Sequence, residues 1–150
     1  MRRSKGFSLF ELLAVISVLG ILLGIGISNF SKANTNRKFD VCAKEMEGGL
    51  MLVRQTAINS NGAAFTMTPP TTSADGKWEI NTASMPRVRK AGTIPSQFTL
   101  TISPASATAI NFSAAGTVTT EVTITLACGG TGRQAKWKVC APTGMAEKLQ

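Results

Sequence analysis

The stretch that decides the fold lies near the N-terminus, at residues 6–30, and reads GFSLFELLAVISVLGILLGIGISNF. Glu11 is its only ionisable side chain, and three cations precede it at positions 2, 3 and 5. As a helix rising roughly 1.5 Å per residue, residues 7–30 are long enough to cross a hydrocarbon core of about 30 Å. The leading cations predict that residue 1 stays in the cytoplasm and that the rest of the chain is exported.

A cleaved secretory signal and a plain membrane anchor are the simpler interpretations of this segment. The apolar run is longer than the core of a signal peptide, and no clear A-x-A cleavage site follows it. A plain membrane anchor does not explain Glu11, because a carboxylate near the membrane is energetically costly without a partner. Glu11 is therefore predicted to be a functional residue.

The segment GFSLFELL, residues 6–13, resembles the prepilin signature of type IV pilins and type II secretion pseudopilins. The resemblance implies a leader over residues 1–6, which prepilin peptidase removes by cutting between Gly6 and Phe7. The new amine of Phe7 would then be methylated. The resemblance also implies that Glu11 is an assembly residue, whose carboxylate pairs with the Phe7 amine of a neighbouring subunit in the filament.

The same resemblance implies a pilin-like α+β fold, in which a long N-terminal helix packs on a C-terminal antiparallel β-sheet. Residues 7–30 would form the membrane-spanning and filament-core half of the helix, and residues 31–150 the periplasmic globular domain. Gly20 and Gly24 form a small-xxx-small pair that lets neighbouring helices approach closely. The glycines also predict that the helix is broken or weakened at residues 24–29.

A second helical pattern covers residues 31–59, where charged side chains return. Its apolar residues recur in steps of three or four, at Phe39, Cys42, Met46, Leu50, Val53 and Ala57. This spacing predicts an amphipathic helix with one face against the domain's own sheet. The sequence NSNG at residues 59–62 predicts the end of the helix.

Residues 62–146 carry the patterns of an antiparallel sheet. Strands are predicted at residues 63–67, 77–81, 86–90, 98–102, 110–113, 122–128 and 135–139.

A hairpin centred on residues 130–131 predicts a register for the last two of these strands, with only apolar pairs on one face. These pairs are Leu126 with Ala135, Ile124 with Trp137, and Val122 with Val139. The opposite face pairs threonines with lysines, Thr125 with Lys136 and Thr123 with Lys138. A slip of one residue would destroy both faces, so the pattern favours this single register.

A second resemblance lies in the C-terminal half. Residues 110–118, INFSAAGTV, resemble the FSPxG segment of GspH/FimT-type minor pilins, and residues 125–133 resemble the last hairpin of that family. The match implies a minor pilin that joins other minor pilins and the major pilin in the tip or priming complex of a type IV pilus, through an inner-membrane assembly platform. A GspH-like pseudopilin of type II secretion is the alternative, because both systems use the same leader and helix.

The chain has 16 basic and 8 acidic side chains, a net charge of +8, and no histidine. Without histidine there is no Ser-His-Asp triad and no His-based zinc site, so no enzyme, metal or cofactor is predicted. The basic side chains cluster at Arg87, Arg89, Lys90, Arg133, Lys136 and Lys138. Residues 132–136, GRQAK, resemble the C-terminal basic region through which FimT-type minor pilins bind DNA, and this resemblance implies a further alternative, a DNA-binding minor pilin for natural transformation. Within this group, Arg133 is predicted to lean toward the core face of its strand.

Three cysteines in an exported domain predict a disulfide. Cys128 and Cys140 are nearest in sequence, but the predicted hairpin puts them on opposite faces and several residue pairs apart. Cys128 with Cys42 is the alternative, because both side chains are predicted to face the helix–sheet core. The sequence leaves this choice open.

Overall fold

The computed structural model describes residues 8–82 and 88–149, without the side chains of residues 25–29, 88 and 89. One helix precedes eight strands: α1 (Leu9–Asn59), β1 (Ala63–Thr68), β2 (Gly76–Thr82), β3 (Val88–Ile94), β4 (Phe98–Ser103), β5 (Ala109–Phe112), β6 (Val122–Cys128), β7 (Arg133–Cys140) and β8 (Met145–Lys148). The chain divides into two units, residues 1–37 and residues 38–150. Each unit is described by itself below.

Helix α1 is continuous through residues 24–29, so of the break or weakening predicted there, the break is absent. Glycine lowers helix stability by about 1 kcal/mol relative to alanine, but it keeps the N–H group that the helix needs, and no proline interrupts the segment. The helix ends where the sequence predicts. Asn61 and Gly62 have φ angles of 59° and 115°, and the N–H of Gly62 donates to the carbonyl oxygen of Ala57 at 2.8 Å.

Within the described residues, no helix is both long enough and apolar enough to span a membrane. The predicted span over residues 7–30 includes Phe7 and the side chains of residues 25–29, which lie outside the described part of the chain.

The strands form two four-stranded antiparallel sheets. In the first sheet the order is β3-β2-β1-β5, and in the second it is β4-β6-β7-β8. The sequence predicts the antiparallel strands but not their division between two sheets, because alternation along one strand does not identify its distant neighbours. The third strand is also displaced. It extends from Val88 to Ile94 rather than over 86–90, and residues 86 and 87 lie outside the described residues.

The register predicted for the β6–β7 hairpin is confirmed at all five predicted pairs. The apolar pairs are Leu126 with Ala135, Ile124 with Trp137, and Val122 with Val139, and the polar pairs are Thr125 with Lys136 and Thr123 with Lys138. Along β6 the side chains alternate between buried and half-buried positions. The hairpin therefore has one face in the core and one face partly open to water.

The core of the second unit contains the inner face of α1 and residues from both sheets. The six apolar helix residues predicted to face the sheet are all buried, and so are Trp78 on β2 and Trp137 on β7. Gly49 faces the same way. A Cβ atom there would lie 2.7 Å from Cζ3 of Trp78, so the glycine lets the indole ring pack directly against the helix backbone. Each large side chain buried in this core contributes roughly 1.5–3 kcal/mol.

Candidate functional site

Glu11 lies in the first turn of α1 and is exposed. The carbonyl oxygen of Ser8 accepts hydrogen bonds from the N–H groups of Glu11 at 3.0 Å and of Leu12 at 3.2 Å, which fixes the start of the helix. A carboxylate at this end is stabilised by the helix dipole. Glu11 forms no ion pair with another described residue. The predicted cleavage site, Gly6 and Phe7, lies outside the described residues.

The helix that follows Glu11 presents apolar side chains in every direction. Its large apolar residues between Leu9 and Leu23 are 50% to 81% exposed. At Gly20 and Gly24 a Cβ atom would meet nothing within 4 Å, so the described chain leaves the space beside these glycines open. A helix that is apolar all round is stable only where lipid or other helices cover it. Gly20 and Gly24 remain predicted helix-packing positions.

Arg133 at the start of β7 is bound to α1. Its guanidinium makes two contacts with the Asp40 carboxylate, Nη2 to Oδ1 at 2.8 Å and Nη1 to Oδ2 at 3.1 Å. The guanidinium carbon also lies 5.4 Å from the centroid of the Phe39 ring, within range of a cation–π interaction. The side chain lies on the core side of its strand, as predicted, and it holds the second sheet against the helix.

The other predicted DNA-binding residues differ in their surroundings. Lys138 Nζ lies 3.1 Å from Oε1 of Glu121, and this hydrogen-bonded carboxylate raises the pKa of the lysine. Lys90 and Lys136 form no ion pair with a described residue, and they lie in different sheets, on β3 and β7. Arg87 and the side chain of Arg89 lie outside the described residues. The described part of the predicted cluster is therefore split by sheet and partly neutralised by acids.

All three cysteines are free thiols in the structure, so neither candidate disulfide is formed. Cys128 lies opposite Arg133, and Cys140 is seven residues farther along β7. At roughly 3.3 Å per residue the two are about 23 Å apart along the strand, far beyond the Cα separation that a disulfide allows. Cys42 is buried, and its thiol lies 3.9 Å from the carbonyl oxygen of Thr93. No group of three or more metal-ligating side chains converges among the described residues.

The turn at residues 113–117, where the FSPxG-like segment lies, packs on α1. The Ser113 N–H donates to the Thr117 carbonyl at 2.9 Å, and the hydroxyl oxygens of Ser113 and Thr117 are 2.7 Å apart. Gly116 has a φ of 71°, which favours glycine, and its carbonyl oxygen accepts a hydrogen bond from Arg54 Nε at 3.4 Å. A Cβ atom at Gly116 would lie 3.0 Å from Cδ1 of Ile58, so the turn sits close to the helix.

Comparison with known families agrees with both parts of this architecture. The family model described as "Type II transport protein GspH" matches residues 43–142, two thirds of the chain. The chain belongs to the GspH family. The model described as "Prokaryotic N-terminal methylation motif" matches residues 1–27 of this GspH-family chain, which include the prepilin-like segment.

Two proteins of Pseudomonas aeruginosa strain PAO1 are similar to this GspH-family chain. The "Type II secretion system protein H" of this bacterium is 31% identical over 61 residues, which are 41% of this chain and 36% of the relative. This chain thus matches little more than a third of that protein's length. The crystal structure of the type IV minor pilin FimU has a TM-score of 0.58 at 16% identity, covering 74% of this chain and 87% of FimU. At this identity the likeness shows a common fold.

The predicted pilin-like α+β fold is therefore confirmed, and this GspH-family chain is a type IV pilin-like protein. Such proteins are structural subunits. The match to the N-terminal methylation motif agrees with the prepilin-like segment at residues 6–13.

The outer face of the GspH-family helix was not predicted to be apolar. Val41, Met51 and Ile58 are 53%, 61% and 50% exposed, although they belong to the half of α1 whose inner face is buried. The signal was present in the sequence, because these residues also recur at helical spacing between the buried positions. The buried stripe of the same helix is sufficient to explain the core, so the spacing alone does not indicate that a second face is apolar.

Proposed function

We propose that the chain is a minor pilin of a type IV pilus. Prepilin peptidase cuts it between Gly6 and Phe7, and residues 7–30 hold it in the inner membrane with residues 31–150 in the periplasm. The assembly platform then transfers it into the tip or priming complex, with other minor pilins and the major pilin. The observation that carries this proposal is the methylation motif at the head of a helix whose apolar side chains are left uncovered by the described chain.

The role of Glu11 follows from electrostatics. When the apolar helices pack together, the carboxylate loses its contact with water, which costs several kcal/mol unless a cation compensates it. No described cation of the same chain pairs with Glu11. The methylated amine of Phe7 in a neighbouring subunit supplies the charge, and this pair sets the register between subunits.

Mass spectrometry of the protein from its native host tests the processing step. We expect a mature chain that begins at Phe7 and carries one methyl group on its amine. Gly6→Leu should leave the precursor mass unchanged, whereas Ser4→Ala, in the leader but away from the cut, should be processed normally. A mature chain that starts elsewhere contradicts the proposal.

Glu11→Val tests assembly separately from processing. We expect the variant to be cleaved at Phe7 and to remain in the membrane at the normal level, but to be lost from sheared filaments, because its neighbour's amine then has no counter-charge. Ser17→Ala, on the same helix, is the matched control and should be incorporated normally. Normal incorporation of Glu11→Val would contradict the assembly role.

A pseudopilin of type II secretion is the second candidate, and the GspH family model and the secretion-system relative favour it. Deleting the gene decides between the two systems. Loss of surface pili with normal export of secreted enzymes supports the pilus, and the opposite result supports secretion.

A DNA-binding minor pilin is a third candidate, favoured by Lys90 and Lys136, which have no ion pair with a described residue. A mobility-shift titration of the intact protein at low salt tests it. Lys136→Ala should weaken DNA binding. The salt dependence of the binding constant should also fall, by the amount expected for the loss of about one phosphate contact. Absence of a shift with the unaltered protein rejects this candidate.

A further inference from the structure

The junction between α1 and β1 contains a chemically reactive pair of residues. Asn61 is followed by Gly62, whereas the other asparagines of the sequence precede residues that carry a side chain. The backbone nitrogen that follows an asparagine can attack the carbonyl carbon of its side-chain amide, and glycine has no Cβ atom to block the approach. Asn61 is exposed, so water has access to its side chain.

The same two residues close the C-terminal end of the helix. Helix α1 ends at Asn59 and β1 begins at Ala63, so residues 60–62 form the whole junction. Asn61 has a φ of 59°, a left-handed conformation that asparagine tolerates better than most residues, and Gly62 has a φ of 115°. The N–H of Gly62 donates to the carbonyl oxygen of Ala57 at 2.8 Å. The nitrogen that could attack Asn61 is therefore the one that caps the helix.

The cap opposes the reaction. To attack, the Gly62 nitrogen must lose its proton and turn toward Cγ of Asn61, but the hydrogen bond holds both the proton and the direction of the N–H group. The backbone is also fixed on the far side of the junction, because Ala63 pairs with Thr82 on β2 and with Phe112 on β5. The reactive geometry is accessible only when the end of the helix opens locally.

We propose that Asn61 is a deamidation site, which the helix cap protects in the folded chain and which reacts when the cap opens. A bond forms between the Gly62 nitrogen and Cγ of Asn61, and the bond from Cγ to Nδ2 breaks. Ammonia leaves with the proton of the Gly62 nitrogen, and a cyclic imide remains. Water then opens the imide at either carbonyl, which gives an aspartyl or an isoaspartyl residue. Water is the only co-reactant.

Either product weakens the end of the helix. Both place a new carboxylate beside the C-terminus of α1, which is the negative end of the helix dipole, and the last turn of α1 contains no basic side chain to compensate it. An isoaspartyl residue also lengthens the main chain by one methylene group directly before β1. This extension displaces the Gly62 N–H from the carbonyl oxygen of Ala57 and Ala63 from its partners in the sheet.

Peptide mapping of the purified full-length protein measures the reaction. Samples in detergent and in concentrated urea are incubated at mildly alkaline pH, and mass spectrometry follows the exchange of the Asn61 amide for a carboxyl group. The folded chain should react at least about tenfold more slowly than the unfolded chain, because only the open fraction reacts. Asn111, which is exposed but precedes Phe112, is the internal control and should stay unmodified in both samples. An unmodified Asn61 in urea, or equal rates in the two samples, overturns the proposal.

Hydrogen exchange at the Gly62 amide tests whether the cap controls the reaction. Because the same nitrogen exchanges its proton and attacks the side chain, urea below the unfolding transition should raise both rates by the same factor. Asn61→Gly keeps a residue that accepts the left-handed conformation but removes the side-chain amide. Its Gly62 amide should still exchange faster in urea, while the mass increase disappears. If either rate rises without the other in the unaltered protein, the cap does not control the reaction and the proposal is overturned.

Asn61→Asp tests the consequence for the helix, because it creates one of the two products directly. At low salt the variant should melt about 1–4 °C below the unaltered protein, since the new carboxylate faces the negative end of the helix dipole. The difference should shrink at high salt, which screens the charge, and at acidic pH, which removes it. Equal melting temperatures at low salt would overturn the inferred weakening of the helix end.

Discussion

The inner and outer faces of helix α1 carry apolar residues at the same helical spacing but have opposite surroundings. On the inner face Met46 is fully buried and Gly49 admits the ring of Trp78. On the outer face Met51 is 61% exposed and Gly48 borders open space. Spacing thus identifies an apolar face but does not tell what covers it. The chain's own core covers the first face and leaves the second largely exposed.

A matched pair of methionines gives the largest expected effect. Met46→Ala should lower the free energy of unfolding by about 3 kcal/mol, because it removes a fully buried side chain and leaves a cavity. Met51→Ala should change it by less than about 0.5 kcal/mol, since the side chain is mostly in water. Denaturant titration of both variants measures the difference. Equal losses would show that the outer face is also part of the folded core.

The two adjacent glycines should respond to the same substitution with opposite signs. Gly49→Ala should destabilise the protein by about 2 kcal/mol, because the new Cβ overpacks against Trp78. Gly48→Ala should stabilise it by about 1 kcal/mol through helix propensity alone. Thermal unfolding of the two variants side by side provides the check, and a loss of stability at Gly48 would contradict the open surroundings described for it.

The β6–β7 hairpin could be predicted from sequence because its register is constrained twice. A slip would bury Lys136 and Lys138 while exposing Trp137, so one alignment satisfied both faces. The division into two sheets had no such signal. Strand β8 was missed because its sequence, Met-Ala-Glu-Lys, does not alternate, and only its pairing with β7 makes it a strand.

The candidate site also contains residues of two kinds: some can be identified from their neighbours in sequence, and others depend on partners far away in the chain. Glu11 stands out in sequence because it is an acid within a continuous apolar run. The engagement of Arg133 could not be predicted, since its partner Asp40 is 93 residues away in the chain. Whether a basic residue is free to bind DNA depends on such distant acids. A cluster of cations in sequence therefore overestimates the charge that is available at the surface.

Arg133→Ala should produce a moderate effect, because the side chain joins β7 to the edge of the helix between the two faces. We expect a loss of about 1 kcal/mol, since both partners are partly exposed and solvent screens the ion pair. Arg133→Lys should cause a smaller loss of stability than Arg133→Ala, because lysine keeps the charge but not the two-point contact with Asp40. Denaturant titration at low and high salt measures both. A variant as stable as the parent at low salt would show that the contact contributes nothing.

The buried thiol of Cys42 tests the inner face of α1 at one position. Burial, with a lesser contribution from the Glu45 carboxylate, raises the pKa of the Cys42 thiol to about 11. In the folded protein at pH 8 an alkylating reagent should therefore modify Cys140 first, whereas the buried Cys42 and Cys128 should react only after unfolding. A mass that shows only one alkylated cysteine after unfolding without reductant would reveal a disulfide instead.

The same thiol predicts how stability changes at alkaline pH. The folded-state pKa of Cys42 is raised above its usual value of 9.0. The contribution of the protonated thiol to the free energy of unfolding is therefore fully present below about pH 9, and it is lost as the pH rises toward about 11. Between these limits the unfolded chain gives up the proton while the folded chain keeps it. The unaltered protein should therefore lose more stability from pH 8 to pH 10.5 than Cys42→Val does. Equal losses would mean that the thiol already ionises in the folded state, and that the inner face of α1 is more open to water than its packing indicates.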